Sequence, residues 1–319
     1  MKDKPHRASR GWFKSLPRRL ESVAKQGGVE SVLRNSARIG AEEVSAHLSN
    51  LAANLARKDD EQRLSPLQRA ALKRNARLRG LHRGERAFVF GNGPSLKNQL
   101  LHPLAGEITF VGNSFWRHPV LDDPCWNPTY YCFVDRRFFD GAEITDQFFA
   151  NLRERCTHTK FIVRTRLMDV VRERKLIDEA SAIEIATGGR MTDLGLDAID
   201  LTQMLPAVES VLLVELMAAI YMGCSPIYLL GADHDWLATF GEDRHFHEGK
   251  TIAHATHTSV SPVHSSYRAM LEFCWRLWRN HELVRDIAIQ ENIEIYNATA
   301  GGALDVYPRM SLEAVLEGG

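Results

Sequence analysis

From residue 84 onward, short apolar runs alternate with longer amphipathic segments. The short runs predict buried strands over residues 86–90, 108–112, 129–134, 160–164, 183–185, 226–230 and 293–296. Apolar positions at helical spacing predict helices over residues 143–155, 167–178, 209–222 and 264–285, and Trp275 and Trp278 are expected in the core of the last helix. Strands that alternate with helices predict an α/β fold, with a Rossmann-like, mostly parallel sheet and helices on both faces.

The first 83 residues have a different pattern, rich in Arg, Ala and Leu at helical spacing. If residues 12–24 are helical, one face is apolar and carries Trp12, Phe13, Leu16, Leu20 and Val23, while basic residues occupy the remainder. Such a helix is typical of a segment lying on an anionic membrane, and also of one packed on the protein's own body or on a second subunit. We therefore predict a basic helical N-terminal extension over residues 1–83, in contact with the inner membrane surface or in a homo-oligomer, and a catalytic domain over residues 84–319.

Composition narrows the class of protein. The formal net charge is zero, so no nucleic-acid partner is expected, although residues 1–27 hold eight Lys or Arg and two acidic residues. The five cysteines lack Cys-x-x-Cys spacing, which argues against a zinc cluster or a disulfide framework and suits a reducing compartment. Neither a signal-peptide core nor a run of about 18 apolar residues is present. The expected location is cytoplasmic, peripheral at the inner membrane.

Small and polar residues follow four of the predicted strands. They are Gly91-Asn92-Gly93-Pro94-Ser95, Asn113-Ser114, Asp135-Arg136 and Gly231-Ala232-Asp233-His234-Asp235. Ligands of open parallel sheets bind beyond the carboxyl ends of the strands, so these residues are expected to converge on one ligand site. Two glycines before a serine suit a phosphate, because backbone N–H groups can approach an anion there, but the same residues are also those of an ordinary turn.

Several motifs occur in an order that resembles a known family. They are GNGPSL, TFVGNSFW, TYYCFVD, MGCSPIYLLGADHDW and IEIYNATAGGALDVYPR. Together they resemble the bacterial family named after 6-hydroxymethylpterin diphosphokinase (MptE-like, domain of unknown function 115). The order also resembles the sialyltransferases of glycosyltransferase family 42, which use a CMP-activated sugar. The resemblance covers roughly residues 84–310.

The resemblance implies a nucleotide site and a catalytic histidine. The implied nucleotide contacts are Gly91, Asn92, Gly93, Pro94, Ser95, Asn113, Asp135, Ser210, Gly231, Asp233 and Asn297. His264 is the best positional match to the catalytic histidine of the sialyltransferases. The tyrosines that hold the phosphate in those enzymes are absent, and Arg244, His245, His247 or Lys250 would replace them. Their Thr-Ser-Gly turn is also absent, so the donor sugar stays open.

Histidines cluster in one segment: six of the 13 lie between residues 233 and 264. An inverting glycosyl transfer needs a base for the acceptor hydroxyl, and a neutral imidazole suits that role. The candidates are His264, His247 and His245, and Arg244 and Lys250 would stabilise the departing phosphate. A metal site from Asp233, Asp235, His245 and His247 is an alternative that we do not adopt, and a loop rich in surface histidine is another.

The sequence thus predicts a glycosyltransferase of cell-surface glycan assembly. It would transfer a sugar from a nucleotide-activated, preferably CMP-linked, donor to a glycan or lipid-linked acceptor, with no required cofactor and with Mg²⁺ left open. One alternative is a Mg²⁺-dependent pterin diphosphokinase that uses ATP, with Asp233 and Asp235 as metal ligands. A second alternative is a non-catalytic nucleotide-binding scaffold.

Overall fold

A computed structural model describes residues 48, 52, 55–139, 143–191, 198–240, 245–247 and 266–318. In this part of the chain eight strands form one sheet, in the order β6-β5-β4-β3-β2-β1-β7-β8, and every paired strand is parallel to its neighbour. The strands are β1 (Ala87–Phe90), β2 (Ile108–Gly112), β3 (Tyr130–Phe133), β4 (Lys160–Arg164), β5 (Ala182–Arg190), β6 (Met204–Ala207), β7 (Ile227–Leu230) and β8 (Ile295–Asn297). The predicted α/β, Rossmann-like fold is confirmed.

Six α-helices with defined ends surround the sheet in the described residues, and residues 55–62 are also mostly helical. The six are α1 (Pro66–Arg74), α2 (Glu143–Arg155), α3 (Met168–Arg174), α4 (Val211–Tyr221), α5 (Tyr267–Gln290) and α6 (Leu312–Glu317). Helix α4 is apolar on all sides, because it packs across β1, β2 and β3 and under α5, and ten of its eleven residues are buried.

The core lies on both faces of the sheet. Successive side chains of a strand point to opposite faces, so Val89 of β1 packs with α4 and α5 while Phe88 and Phe90 pack with α2. All four residues of β1 are fully buried, as expected for the centre of a parallel sheet. This explains why the strands have the pattern of continuous apolar runs.

The part of the predicted N-terminal extension that is described packs on the sheet. Leu64 and Leu72 contact Ala186 of β5 and Met204 of β6. The Asn75 side chain donates to two backbone carbonyls of the body, at 2.7 and 3.0 Å. The amphipathic stripe of residues 12–24 lies outside the described residues, so its membrane or oligomer contact stays a prediction. None of the helices described is both long and apolar enough to cross a membrane.

Two sequence predictions about the fold were wrong. Strand β6 was not predicted, because it contains Pro206, which removes a backbone donor; the strand is tolerated because it lies at the edge of the sheet. Trp275 is not in the core: its side chain is 67% exposed. Trp278, half-buried against the core, donates to the Asp305 carboxylate at 2.8 Å.

Candidate functional site

A cleft opens where the order of the strands reverses. Strand β1 lies between β2 and β7: the chain builds the sheet from β1 to β6 on one side, then crosses to β7 and β8 on the other. The carboxyl ends at such a switch point are the usual ligand site of an open α/β sheet. The cleft has a volume of about 120 Å³ and is lined by Gly91, Asn92, Gly93, Pro94, Asn113, Ser210, Val211, Leu212, Gly231, Asp233, His234, Asp235, Trp236 and His245.

Gly91 and Gly93 allow the turn after β1 to pack directly on the turn after β7. The Gly91 N–H donates to the Leu230 carbonyl at 2.7 Å, and the Gly93 N–H donates to the Gly231 carbonyl at 3.0 Å. A Cβ on Gly91 would lie 2.8 Å from the carbonyl carbon of Gly231 and nearer still to its oxygen. These two N–H groups are therefore engaged by the protein itself, and a phosphate at this cleft would need other donors.

Ser95 and Asp233 hold the same two turns together. The Ser95 hydroxyl donates to the Asp233 carboxylate at 2.7 Å, and the Ser95 N–H donates to it at 3.2 Å. Burial raises the pKa of Asp233, and the two bonds from Ser95 oppose that rise. Asp233 lines the cleft, whereas Ser95 lies behind it.

Two asparagine side chains line the cleft after β1 and β2. The Asn92 amide nitrogen donates to the Gly112 carbonyl at 3.1 Å, which directs the amide oxygen away from that carbonyl. This Oδ1 atom is buried and has no hydrogen-bond partner among the described residues. Asn113 has a φ of 49°, a left-handed conformation, and its carbonyl accepts from the Tyr131 hydroxyl at 2.8 Å. Asn92 thus offers the cleft an unused acceptor.

The amino end of α4 forms another wall of the cleft. Ser210 caps the helix, because its hydroxyl accepts from the Leu212 N–H at 3.3 Å. A helix N-terminus carries a partial positive charge and attracts anions. The described lining residues include no Lys or Arg and include the carboxylates of Asp233 and Asp235. In the described part of the cleft, the start of α4 is therefore the main anion-attracting feature.

Residues 245–247 lie at the rim of the cleft. The Phe246 N–H donates to the Asn92 carbonyl at 3.2 Å, and the buried Phe246 ring packs against Phe115. His245 lines the cleft and stacks on His247 with ring centroids 5.3 Å apart. Arg117 donates to the His247 Nδ1 atom at 3.3 Å, and this assigns the lone pair to Nδ1 because a guanidinium only donates. His264, Arg244 and Lys250 lie outside the described residues.

Two other predicted site residues lie away from the cleft. Asn297 is fully buried: its amide donates to the Leu304 carbonyl at 2.9 Å and accepts from the Thr299 N–H at 3.0 Å. Asp135 follows β3, and its charge raises the pKa of Arg164, which burial lowers. The nucleotide contacts predicted for these two residues stay predictions.

The structure brings together most of the strand-end residues and adds others. Those that line the cleft as a group are Gly91, Asn92, Gly93, Pro94, Asn113, Ser210, Gly231, Asp233 and His245. Sequence reasoning gave no role to His234 or Trp236, which also line it. Their position directly after β7 was the available signal.

Comparisons with known proteins give distant likenesses only. No protein-family model matches the sequence, and no curated protein matches it. The chain is similar to a solved structure of the sialyltransferase CstII from Campylobacter jejuni in complex with a substrate analogue, cytidine-5'-monophosphate: 14% identity and a TM-score of 0.40, covering 72% of this chain and 86% of that one. A CstII variant in complex with CMP gives the same identity and TM-score over 69% and 83% of the two chains. A likeness this distant carries no information about activity, and membership of the MptE-like family stays a prediction.

Proposed function

We propose that this protein is a glycosyltransferase that uses a nucleotide-activated sugar, preferably CMP-linked, and that the nucleotide binds in the cleft at the ends of β1, β2 and β7. The observation that carries the proposal is the Asn92 amide. Its nitrogen is held by the Gly112 carbonyl, and its buried oxygen has no partner among the described residues. An unsatisfied buried acceptor costs about 1–3 kcal/mol, so a ligand N–H or O–H at this point would bind favourably.

The remaining walls suit the other parts of a nucleotide sugar. The Asp235 carboxylate and the Asn113 amide are suited to the hydroxyl groups of a ribose or a sugar. The start of α4 at Ser210 would attract the phosphate. The 120 Å³ cleft is smaller than the ~300–1,000 Å³ of a typical ligand pocket, so the donor would extend beyond these walls. Arg244 and Lys250 are the residues we propose for the phosphate beyond them.

The reaction would be an inverting displacement. The acceptor hydroxyl gives its proton to a histidine, its oxygen bonds the anomeric carbon, and the bond from that carbon to the nucleotide phosphate breaks, which releases the nucleotide. His245 is the candidate base on the cleft. His247 is less suited, because its Nδ1 lone pair is engaged by Arg117. His264 is the other candidate.

The acceptor we propose is a glycan or lipid-linked glycan of cell-surface assembly. The basic, apolar stripe of residues 12–24 would bring the enzyme to a membrane that carries such an acceptor. No part of the described structure tests this step.

A thermal-shift panel tests the proposal. CMP, CDP, UDP, GDP and ATP are each added with and without Mg²⁺, because a ligand that binds only the folded state raises the melting temperature. We expect stabilisation by CMP or CDP without Mg²⁺, lost in Asn92→Ala and kept in the matched control Asn98→Ala, an exposed asparagine outside the cleft. Stabilisation by ATP alone, and only with Mg²⁺, would instead favour the diphosphokinase. No response to any nucleotide would refute the proposal.

A further inference from the structure

His234 lies directly after β7 in an unusual setting. Its φ is 51°, a left-handed conformation that non-glycine residues rarely adopt and that is enriched at functional sites. The ring stacks on Trp236, with centroids 4.9 Å apart and an interplanar angle of 23°, and contacts Trp278. The side chain is buried except where it lines the cleft.

A chain of hydrogen bonds runs from His234 into the core. The Nε2 atom of His234 lies 3.0 Å from the Nε2 atom of His281. The other ring nitrogen of His281, Nδ1, lies 3.0 Å from the Tyr307 hydroxyl. That hydroxyl is in turn 3.2 Å from the backbone carbonyl of His281.

These contacts assign the protons. If the Tyr307 hydroxyl donates to the His281 carbonyl, it accepts from Nδ1–H of His281, and the Nε2 lone pair of His281 accepts from Nε2–H of His234. This arrangement makes three hydrogen bonds. The reverse arrangement makes only two, since Tyr307 then donates to Nδ1 of His281 and its oxygen accepts nothing in the chain. The first arrangement leaves the Nδ1 atom of His234 as a lone pair, with no hydrogen-bond partner among the described residues.

We propose that His234, held in this tautomer by His281 and Tyr307, is a hydrogen-bond acceptor for a hydroxyl group of the ligand. The inference rests on the proposed function and names a further contact in the same cleft. The hydroxyl belongs either to the ribose or to the transferred sugar.

The electrostatic setting supports an acceptor and not a general base. Burial lowers the pKa of His234 to about 3 and lowers the pKa of His281 well below its ordinary value. Both rings are therefore neutral near pH 7. A general base works best with a pKa near the working pH, so His234 suits binding better than proton transfer.

The tautomer is tested directly by ¹⁵N NMR of the histidine rings in the full chain. We expect His234 to show an N–H signal at Nε2 and a lone-pair signal at Nδ1, and the Nδ1 signal to shift when CMP or CMP-N-acetylneuraminic acid binds. Tyr307→Phe should populate the reverse tautomer. Tyr221→Phe is the matched control, because Tyr221 is also buried, donates to one backbone carbonyl at 3.2 Å and lies outside the chain of bonds. An N–H signal at Nδ1 in the unaltered protein overturns the inference.

The ligand contact is tested by titration calorimetry with the same two probes. His234→Leu removes the acceptor, and we expect about 2- to 10-fold weaker binding, the effect of one lost neutral hydrogen bond. His234→Asn places an amide oxygen near the Nδ1 position, tolerates the left-handed backbone, and should bind more tightly than His234→Leu. Weaker binding of CMP assigns the ribose, and weaker binding of only the sugar nucleotide assigns the sugar.

The two proposals fail in different ways. If CMP binds the unaltered protein and His234→Leu equally, and the sugar nucleotide does too, the inference about His234 is wrong and the proposed function stands. If neither probe binds the unaltered protein, the proposed function is wrong and the ligand contact falls with it. Thermal melts of each variant establish that the chain is folded.

Discussion

The packing of the turns after β1 and β7 predicts that Gly91→Ala is strongly destabilising. The added Cβ would lie 2.8 Å from the carbonyl carbon of Gly231, where ordinary contact begins at 3.4 Å. The obstacle is backbone, which cannot rotate aside as a side chain can. The two turns must therefore move apart by about half an ångström or more.

The size of the effect follows from two contributions. Overpacking in a well-packed region costs about 1–3 kcal/mol. Separation of the turns also weakens the bond from Gly91 N–H to Leu230, at 2.7 Å, and the bond from Gly93 N–H to Gly231, at 3.0 Å, each with a net contribution of about 1 kcal/mol. We expect the free energy of unfolding to fall by about 2–4 kcal/mol and CMP binding to weaken, since the same turns line the cleft.

Urea denaturation followed by tryptophan fluorescence measures the first effect, and calorimetry measures the second. Gly318→Ala is the control, because Gly318 has a φ of −95° and its added Cβ would lie 3.3 Å from its nearest neighbour, far from the cleft. Its stability should stay within about 0.5 kcal/mol of the unaltered protein. The reasoning is refuted if Gly91→Ala is as stable as Gly318→Ala and binds CMP normally.

Three further predictions concern Glu215, Ser210 and Asn297. Burial raises the pKa of Glu215, whose oxygens have no partner among the described residues, so its folded carboxyl keeps a proton that the unfolded chain releases above about pH 4.3. Stability should therefore fall by up to about 1.4 kcal/mol per pH unit as pH rises from there toward the folded pKa, and urea denaturation at about pH 5 and about pH 7 should show a smaller fall for Glu215→Gln. Ser210→Ala should lose about 1 kcal/mol, as should the equivalent cap variant Ser311→Ala, but calorimetry should show weaker CMP binding only for Ser210→Ala; equal CMP binding by both would contradict a phosphate at α4. Asn297→Ala leaves the Leu304 carbonyl and one N–H without partners, so urea denaturation should show a loss of about 2 kcal/mol or more, and unchanged stability would contradict a structural role.

The sequence was sufficient for the sheet and for the location of the cleft. Buried parallel strands have short apolar runs, so seven of the eight described strands were predicted, and the strand ends marked the cleft. Strand β6 was not predicted, because a proline argues against a strand unless the strand is known to lie at an edge. Edge position depends on the strand order, which a single sequence does not give.

The roles of the site residues depend on partners distant in the chain. The sequence could not show that the N–H groups of Gly91 and Gly93 donate to the turn after β7, because those partners lie about 140 residues further on. The bond from His234 to His281 spans 47 residues and was equally beyond reach. Local motifs indicated where a ligand would bind, and tertiary contacts decide which atoms remain for it.

The most direct test of the account is a crystal structure of the protein soaked with CMP. We predict CMP in the cleft, with a donor group on the Asn92 amide oxygen and the phosphate at the start of α4 beside Ser210. CMP bound elsewhere, or a cleft that stays empty at a concentration that raises the melting temperature, would contradict the central claim.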